Sequence, residues 1–259
     1  MLRMTRSIVK YMLFPVALLF STSLMAESYD SYAVAEGGRL YDNWAVEVGQ
    51  QAPDTTHPGY NDYKGTKRGA ETWRCKECHG WDYEGARGQY GIGPHYTGTK
   101  GITAYRGASI AEVVTVLRND NHRFDRVLSE DQLSKVAAFV GQGLVNMRAF
   151  INRRTKAVAG DANKGRLTYQ EQCTLCHGST GKARNLSGER DHALSLGGLA
   201  NENPWQVMHQ IRAGHPGKFY TNKYDEEGRP RMNMPAMIGV VPLEGQIDLL
   251  AYLMSLPVD

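Results

Sequence analysis

Residues 75–79 read C-K-E-C-H and residues 173–177 read C-T-L-C-H, and these two pentads hold all four cysteines of the 259-residue chain. A disulfide has no use for a histidine directly after its second thiol, whereas C-x-x-C-H is the attachment signature of c-type haem. The two thiols add to the two vinyl groups on one porphyrin edge, and the adjacent imidazole then reaches the iron. A four-cysteine zinc ribbon wants its pairs about 15 to 20 residues apart, and Cys173 lies far beyond that distance from Cys75. A thioredoxin-like redox pair needs a βαβ setting, and no alternating or buried-strand run flanks either motif. Cys75, Cys78, Cys173 and Cys176 are therefore read as attachment points for two haem c groups, with His79 and His177 as iron ligands.

The start of the chain fits that chemistry. M-L-R-M-T-R-S-I-V-K is followed by an apolar run from Tyr11 to Phe20 and then by S-T-S-L-M-A, the pattern of a secretory signal peptide over residues 1–26. The run is shorter than the roughly 20 residues of a membrane span, so membrane contact is expected only if this segment is retained as an anchor. The rest of the chain is expected in the periplasm. The formal charge of +3 comes from Arg3, Arg6 and Lys10, so the mature chain is neutral and lacks the basic footprint of a nucleic-acid binder. With 41% apolar and 22% charged residues, composition excludes disorder, collagen and a multi-span membrane protein.

The pentads belong to a longer repeat, which fixes the domain count. Gly165, Leu167 and Tyr169 precede the second motif, and Gly38, Leu40 and Tyr41 stand in nearly the same relation before the first. In the second copy a helix leads straight into the cysteines. In the first, residues 45–72 intervene, rich in Pro, Gly, Asp, Thr and Tyr, and read as an inserted surface loop. Ser109 with Glu112, and Ser129 with Gln132, are capping boxes. Behind them come the helical stripes Ile110, Val113, Val114, Leu117 and Leu133, Val136, Ala137, Val140. In the second copy Asn203–Pro204 starts a helix that ends near Ala213, before Gly214, and Ile247, Leu250, Ala251 and Met254 mark the last helix. The expected fold is all-α, in two tandem domains at 28–143 and 158–259, joined by a link at 144–157.

With these helices in place, the chain resembles two fused class I cytochrome c domains over most of its mature length. The second is the nearer match, through G-D-A-x-x-G-x-x-x-Y-x-x-x-C-x-x-C-H-G, a central helix, M-P, and a C-terminal helix carrying A-Y-L. The resemblance implies a domain wrapped around each haem, with a distal Met or His between the last two helices as sixth ligand. In the second domain that window runs from Gly214 to Val241 and holds His215, Met232, Met234 and Met237. The Met234–Pro235 pair matches the family's distal signature and selects Met234, with Met232 and Met237 as alternatives. The first domain has no Met between His79 and Met147, and His122 stands where the distal Met would. His95 is the runner-up, and His57 and Met147 are weaker. Pro94 resembles the family proline whose carbonyl accepts the motif histidine's N–H, which puts His95 on the proximal side.

A thioether ligand raises a haem's potential relative to a second imidazole, so the first haem is expected to be the lower and electrons to run from the first domain to the second. Four propionates would make the protein somewhat acidic, which suits redox partners with basic docking patches. The leading function is single-electron transfer between a donor enzyme and an acceptor, neither of which the sequence names. The alternatives are a di-haem enzyme of thiosulfate dehydrogenase-like or peroxidase-like type, or the cytochrome subunit of a dehydrogenase. The thiosulfate-oxidising type uses a distal cysteine, and no cysteine is left over once both motifs are filled. The tyrosines of the insert, Tyr60 and Tyr63, with Trp44 and Trp73 nearby, suit either a cover for a haem edge or a packing cluster.

Small domains organised around a bound centre lack a stable core without it. Replacing Cys173 and Cys176 with Ala should leave residues 158–259 largely unfolded, seen as loss of their share of the helical circular dichroism signal and of cooperative melting.

Overall fold

A computed structural model describes residues 30–60, 64–187, 193–217 and 233–258. Residues 1–26, read as a signal peptide, together with Tyr63 and Met232, lie outside the described residues. Among these residues the fold is helical, as expected, with two isolated bridges, Gly85 with Lys100 and Ile151 with Val158, in place of any strand. No described helix is long and apolar enough to cross a membrane.

In the first half, α1 (Ser31–Val48) is capped by the Asp30 carboxylate. Asn43 leaves helical geometry (φ −153°, ψ 87°), and its side chain accepts from the Val46 amide, which restarts the final turn. Gly49 closes the helix in the left-handed conformation. The insert is therefore shorter than the expected 45–72, since the helix claims residues up to Val48 and a 3₁₀ turn claims Gly69–Trp73. It is also less of a surface loop than its composition suggests, because His57 and Tyr60 are buried. The first motif forms α2 (Cys75–His79). Both capping boxes are present, ahead of α3 (Ile110–Leu117) and α4 (Glu130–Ala138). Leu133, Val136 and Ala137 of α4 are buried, as is Val140 in the wider turn that follows it.

The second half contains α5 (Ala162–Gln172), α6 (Thr174–His177), α7 (Leu196–Glu202), α8 (Pro204–Ala213) and α9 (Leu243–Leu253). Asn203 caps α8 with Pro204 in its first turn, and Gly214 ends it, as the sequence indicated. The stripe of α9 is rotated by about one position from expectation, because Gln246, Leu249, Leu250 and Leu253 are buried while Ile247, Ala251 and Met254 are only half-buried.

Two helix crossings fix the register of the repeat. A Cβ on Gly165 would strike the Asp248 carbonyl of α9, and one on Gly37 would strike the Lys135 carbonyl of α4. Glycine is required at each because backbones meet there with no room for a side chain. The equivalent pairs are thus Gly37 with Tyr41 and Gly165 with Tyr169, one position away from the Gly38 alignment, and Leu167 faces solvent at 54% exposure.

Gly38 serves a different contact, between the halves. Helix α8 lies against α1, and the buried residues of both halves form one continuous core. His209, fully buried on α8, meets Tyr83 Oη at 2.9 Å with Nδ1 and the Gly38 carbonyl at 3.0 Å with Nε2. A neutral ring protonated at Nε2 satisfies both, accepting from Tyr83 and donating to Gly38. Tyr41, Trp81, Tyr83 and Phe139 surround it. Arg212, one turn on, donates to the Gly143 carbonyl and to Gln246 Oε1. The connecting segment at 144–157 is packed as well, with Met147, Phe150 and Ile151 buried.

Burial pushes the His209 imidazole down from 6.5 to about 4. Between these pH values the unfolded chain binds a proton that the folded chain refuses, so stability rises with pH there and is lost on acidification, by about 3 kcal/mol over the full window. In denaturant melts of the loaded chain at pH 7 and pH 4.5, His209→Gln should remove most of this residue's pH-dependent loss.

Candidate functional site

Each motif is fastened to the first helix of its half in the same way. Tyr41 Oη donates to the Gly80 carbonyl at 2.6 Å, and Tyr169 Oη donates to the Gly178 carbonyl at 2.6 Å. Gly80 (φ 76°, ψ 166°) and Gly178 (φ 70°, ψ 170°) share one backbone conformation, in the left-handed half of φ that favours glycine. Six residues after each motif histidine an amide returns to its carbonyl, Gly85 to His79 at 2.8 Å and Ala183 to His177 at 3.2 Å. The motifs are therefore repeated in geometry as well as in letters.

All four cysteines are unbonded and half-buried. Burial pushes the thiols of Cys75 and Cys78 up to about 12 and that of Cys173 to about 11, so they are neutral thiols at physiological pH. Among the described residues no three His, Cys, Asp or Glu side chains gather into a cage for a bare metal ion, so the two cysteine pairs are not joined into a zinc site.

His79 and His122 do come together. Their ring centres are 6.2 Å apart, with planes 18° from parallel. Two imidazoles bound to opposite sides of one metal ion, each through a nitrogen about 2 Å away, place their centres roughly 6 Å apart. His79 Nδ1 pairs with the Lys100 carbonyl at 2.8 Å, and His122 Nδ1 with Asn119 Oδ1 at 3.0 Å. Both rings thus have Nδ1 engaged by protein, which leaves Nε2 as the nitrogen that could ligate a metal. Burial pushes His79 down to about 4 and lowers His122 as well, which keeps both in the neutral, ligating form. The residues present fit an iron porphyrin held between His79 and His122 beside Cys75 and Cys78.

The acceptor for His79 differs from expectation. The Pro94 carbonyl receives the Thr66 amide and hydroxyl instead. Lys100 reaches His79 because Gly85 and Lys100 form a bridge, reinforced by the Ala86 amide donating to the Thr99 carbonyl. His95 stacks on Tyr90 with centres 4.6 Å apart and lies 3.4 Å from the buried Glu77 carboxylate. Met147 is a core residue, and both ring nitrogens of His57 are occupied by backbone groups.

At the second motif His177 is half-buried, and burial lowers its pKa. Met234 is half-buried against the core, and its carbonyl receives the His215 amide at 3.2 Å where α8 ends. A Cβ on Gly214 would hit that carbonyl, so the chain around Met234 passes close over the helix end. Met237 is a core side chain, 6% exposed, with its amide bonded to the Ile211 carbonyl.

Compared with protein-family profiles and with curated proteins, the chain has no match. Sequence reading missed the supporting groups Lys100 and Asn119 and weighed His57 only as a ligand, whereas its Nε2 meets the His122 carbonyl. Lys100 acts through a backbone carbonyl, which leaves no mark in the sequence. Asn119 had a usable signal, since an Asx turn before a candidate ligand is a common local device.

The two tyrosine hydroxyls give a direct check on the shared geometry. Tyr41→Phe and Tyr169→Phe should each leave a glycine carbonyl without its donor and lower stability by about 1–3 kcal/mol, measured by denaturant melts. The pair should give similar losses if the two attachments are equivalent.

Proposed function

We propose that this chain is an exported, periplasmic di-haem c-type cytochrome of two class I cytochrome c-like domains, carrying single electrons between a donor enzyme and an acceptor. The observation that carries the reading is the near-parallel His79–His122 pair beside one of two C-x-x-C-H motifs. Covalently held at Cys75, Cys78, Cys173 and Cys176, the two haems would supply iron(III)/iron(II) one-electron chemistry. His79 and His122 hold the first iron, and His177 and Met234 the second.

The protein's own groups give the two sites unequal character. A second imidazole at the first site favours the lower potential and a thioether at the second the higher, so electrons pass from the first half to the second. The residues between the motif cysteines differ in the same sense. Lys76 and Glu77 are buried and paired with each other, closing that edge of the first site, whereas Leu175 is 94% exposed at the second. The open edge suits delivery to an acceptor.

Two substitutions separate the ligands. Thioether coordination to ferric iron gives a weak near-infrared charge-transfer band that a bis-imidazole site lacks. Met234→Ala should abolish this band and lower only the higher-potential wave in a spectroelectrochemical titration. His122→Ala should keep the band and disturb only the lower wave. Survival of the band in Met234→Ala would move the assignment to Met232 or Met237, and two Met-ligated haems in the parent protein would overturn the first-site assignment.

A further inference from the structure

The insert between α1 and α2 carries one side chain whose contacts lead directly to the distal loop. His57, 6% exposed, places Nε2 2.8 Å from the carbonyl of His122 itself. Its other nitrogen, Nδ1, accepts from the Gly59 amide at 3.0 Å, so Nε2 carries the proton and donates to His122. The His57 amide donates to Thr72 Oγ1 at 2.8 Å, and the Thr72 hydroxyl donates to the Gly69 carbonyl at 2.6 Å. The ring packs edge-on to Trp73 (4.5 Å) and stacks on Phe124 (5.5 Å, 26°). A Cβ on Gly59 would strike the Asn121 carbonyl, so the insert crosses the distal loop at backbone contact distance.

Trp73 lies two residues before Cys75 and Phe124 two residues after His122. His57 therefore ties the segment that carries the attachment cysteines to the segment that carries the distal imidazole. The local hold on His122 is otherwise short-range, from Asn119 and the turn around it. Arg123, next in the chain, sits in the left-handed region at φ 52°, a conformation that a non-glycine residue keeps only under outside restraint.

We propose that His57 is a positioning residue for the first site, holding the His122 peptide so that its imidazole stays opposite His79, and that the insert exists to supply this brace. The proposal rests on the bis-imidazole reading of that site. With the brace removed, the distal ring leaves the axis part of the time and the first iron opens to small exogenous ligands.

The test uses the haem-loaded full chain. His57→Ala should show a high-spin fraction by electron paramagnetic resonance, carbon monoxide binding to about one ferrous haem per chain with at least tenfold higher affinity than the parent, and a shifted lower-potential wave. The second haem's near-infrared band and potential should stay in place. His57→Gln, whose amide can still donate to the His122 carbonyl, should restore much of the low-spin state. A His57→Ala protein with parental spin state, carbon monoxide binding and potential would overturn the brace while leaving the bis-imidazole reading standing. A parent protein whose first haem is already high-spin and binds carbon monoxide would overturn both. If His57→Ala does not load haem, Thr72→Val, which removes the anchor of the His57 amide, decides. A partial move in the same direction supports the brace, and parental behaviour refutes it.

Discussion

The hydrogen bond from a buried tyrosine hydroxyl to the carbonyl of the glycine after each motif histidine sets the geometry on which both sites depend. It joins the first helix of each half to the peptide that aims the imidazole, and it is worth keeping because an unpaired carbonyl there would be buried. The tyrosine can reach only if the helix is held at one height, and the glycine one turn earlier does this by letting a second helix cross in backbone contact. Gly37, Tyr41 and Gly80, and Gly165, Tyr169 and Gly178, are thus two copies of one device.

What could be read from the sequence follows the same division. Helix starts were legible at Ser109, Ser129 and Asn203, because the chemistry that satisfies the free amides is written in the residue, whereas the side-chain caps at Asp30, Asp161 and Ser195 went unread. The α4 stripe was legible because that helix packs on one side. Features resting on backbone carbonyls were not: Lys100 and Pro94 offer the same acceptor, and only the fold decides which one meets His79. The tandem Gly37–Gly38 hid the register, since one glycine serves a crossing within the first half and the other the contact with α8. Met237 looked like Met234 by composition, but its place in the core follows from the α8 carbonyl that receives its amide.

The halves diverge where they touch. The loop after each motif needs a left-handed residue at the same place, filled by Gly181 (φ 73°) in the second half and by Tyr83 (φ 66°) in the first. A tyrosine in that conformation costs on the order of 1–3 kcal/mol, so something must hold it. Tyr83 is completely buried, packed edge-on to Tyr41 and Phe139, with its hydroxyl donating to His209 of the other half. Where the second half has a glycine packed against Leu196 and Leu256, the first has a strained aromatic that forms part of the seam between halves.

That exchange gives the two motifs, built on one plan, different surroundings. The first is enclosed from three directions: by the seam through Tyr83 and His209, by the insert through His57, Trp73 and Phe124, and by the Lys76–Glu77 pair at the motif edge. Burial in these surroundings keeps both imidazoles neutral. The second site shares the core but has no equivalent insert, and its motif leaves Leu175 in solvent. The two motifs thus share one attachment geometry and differ in what encloses them.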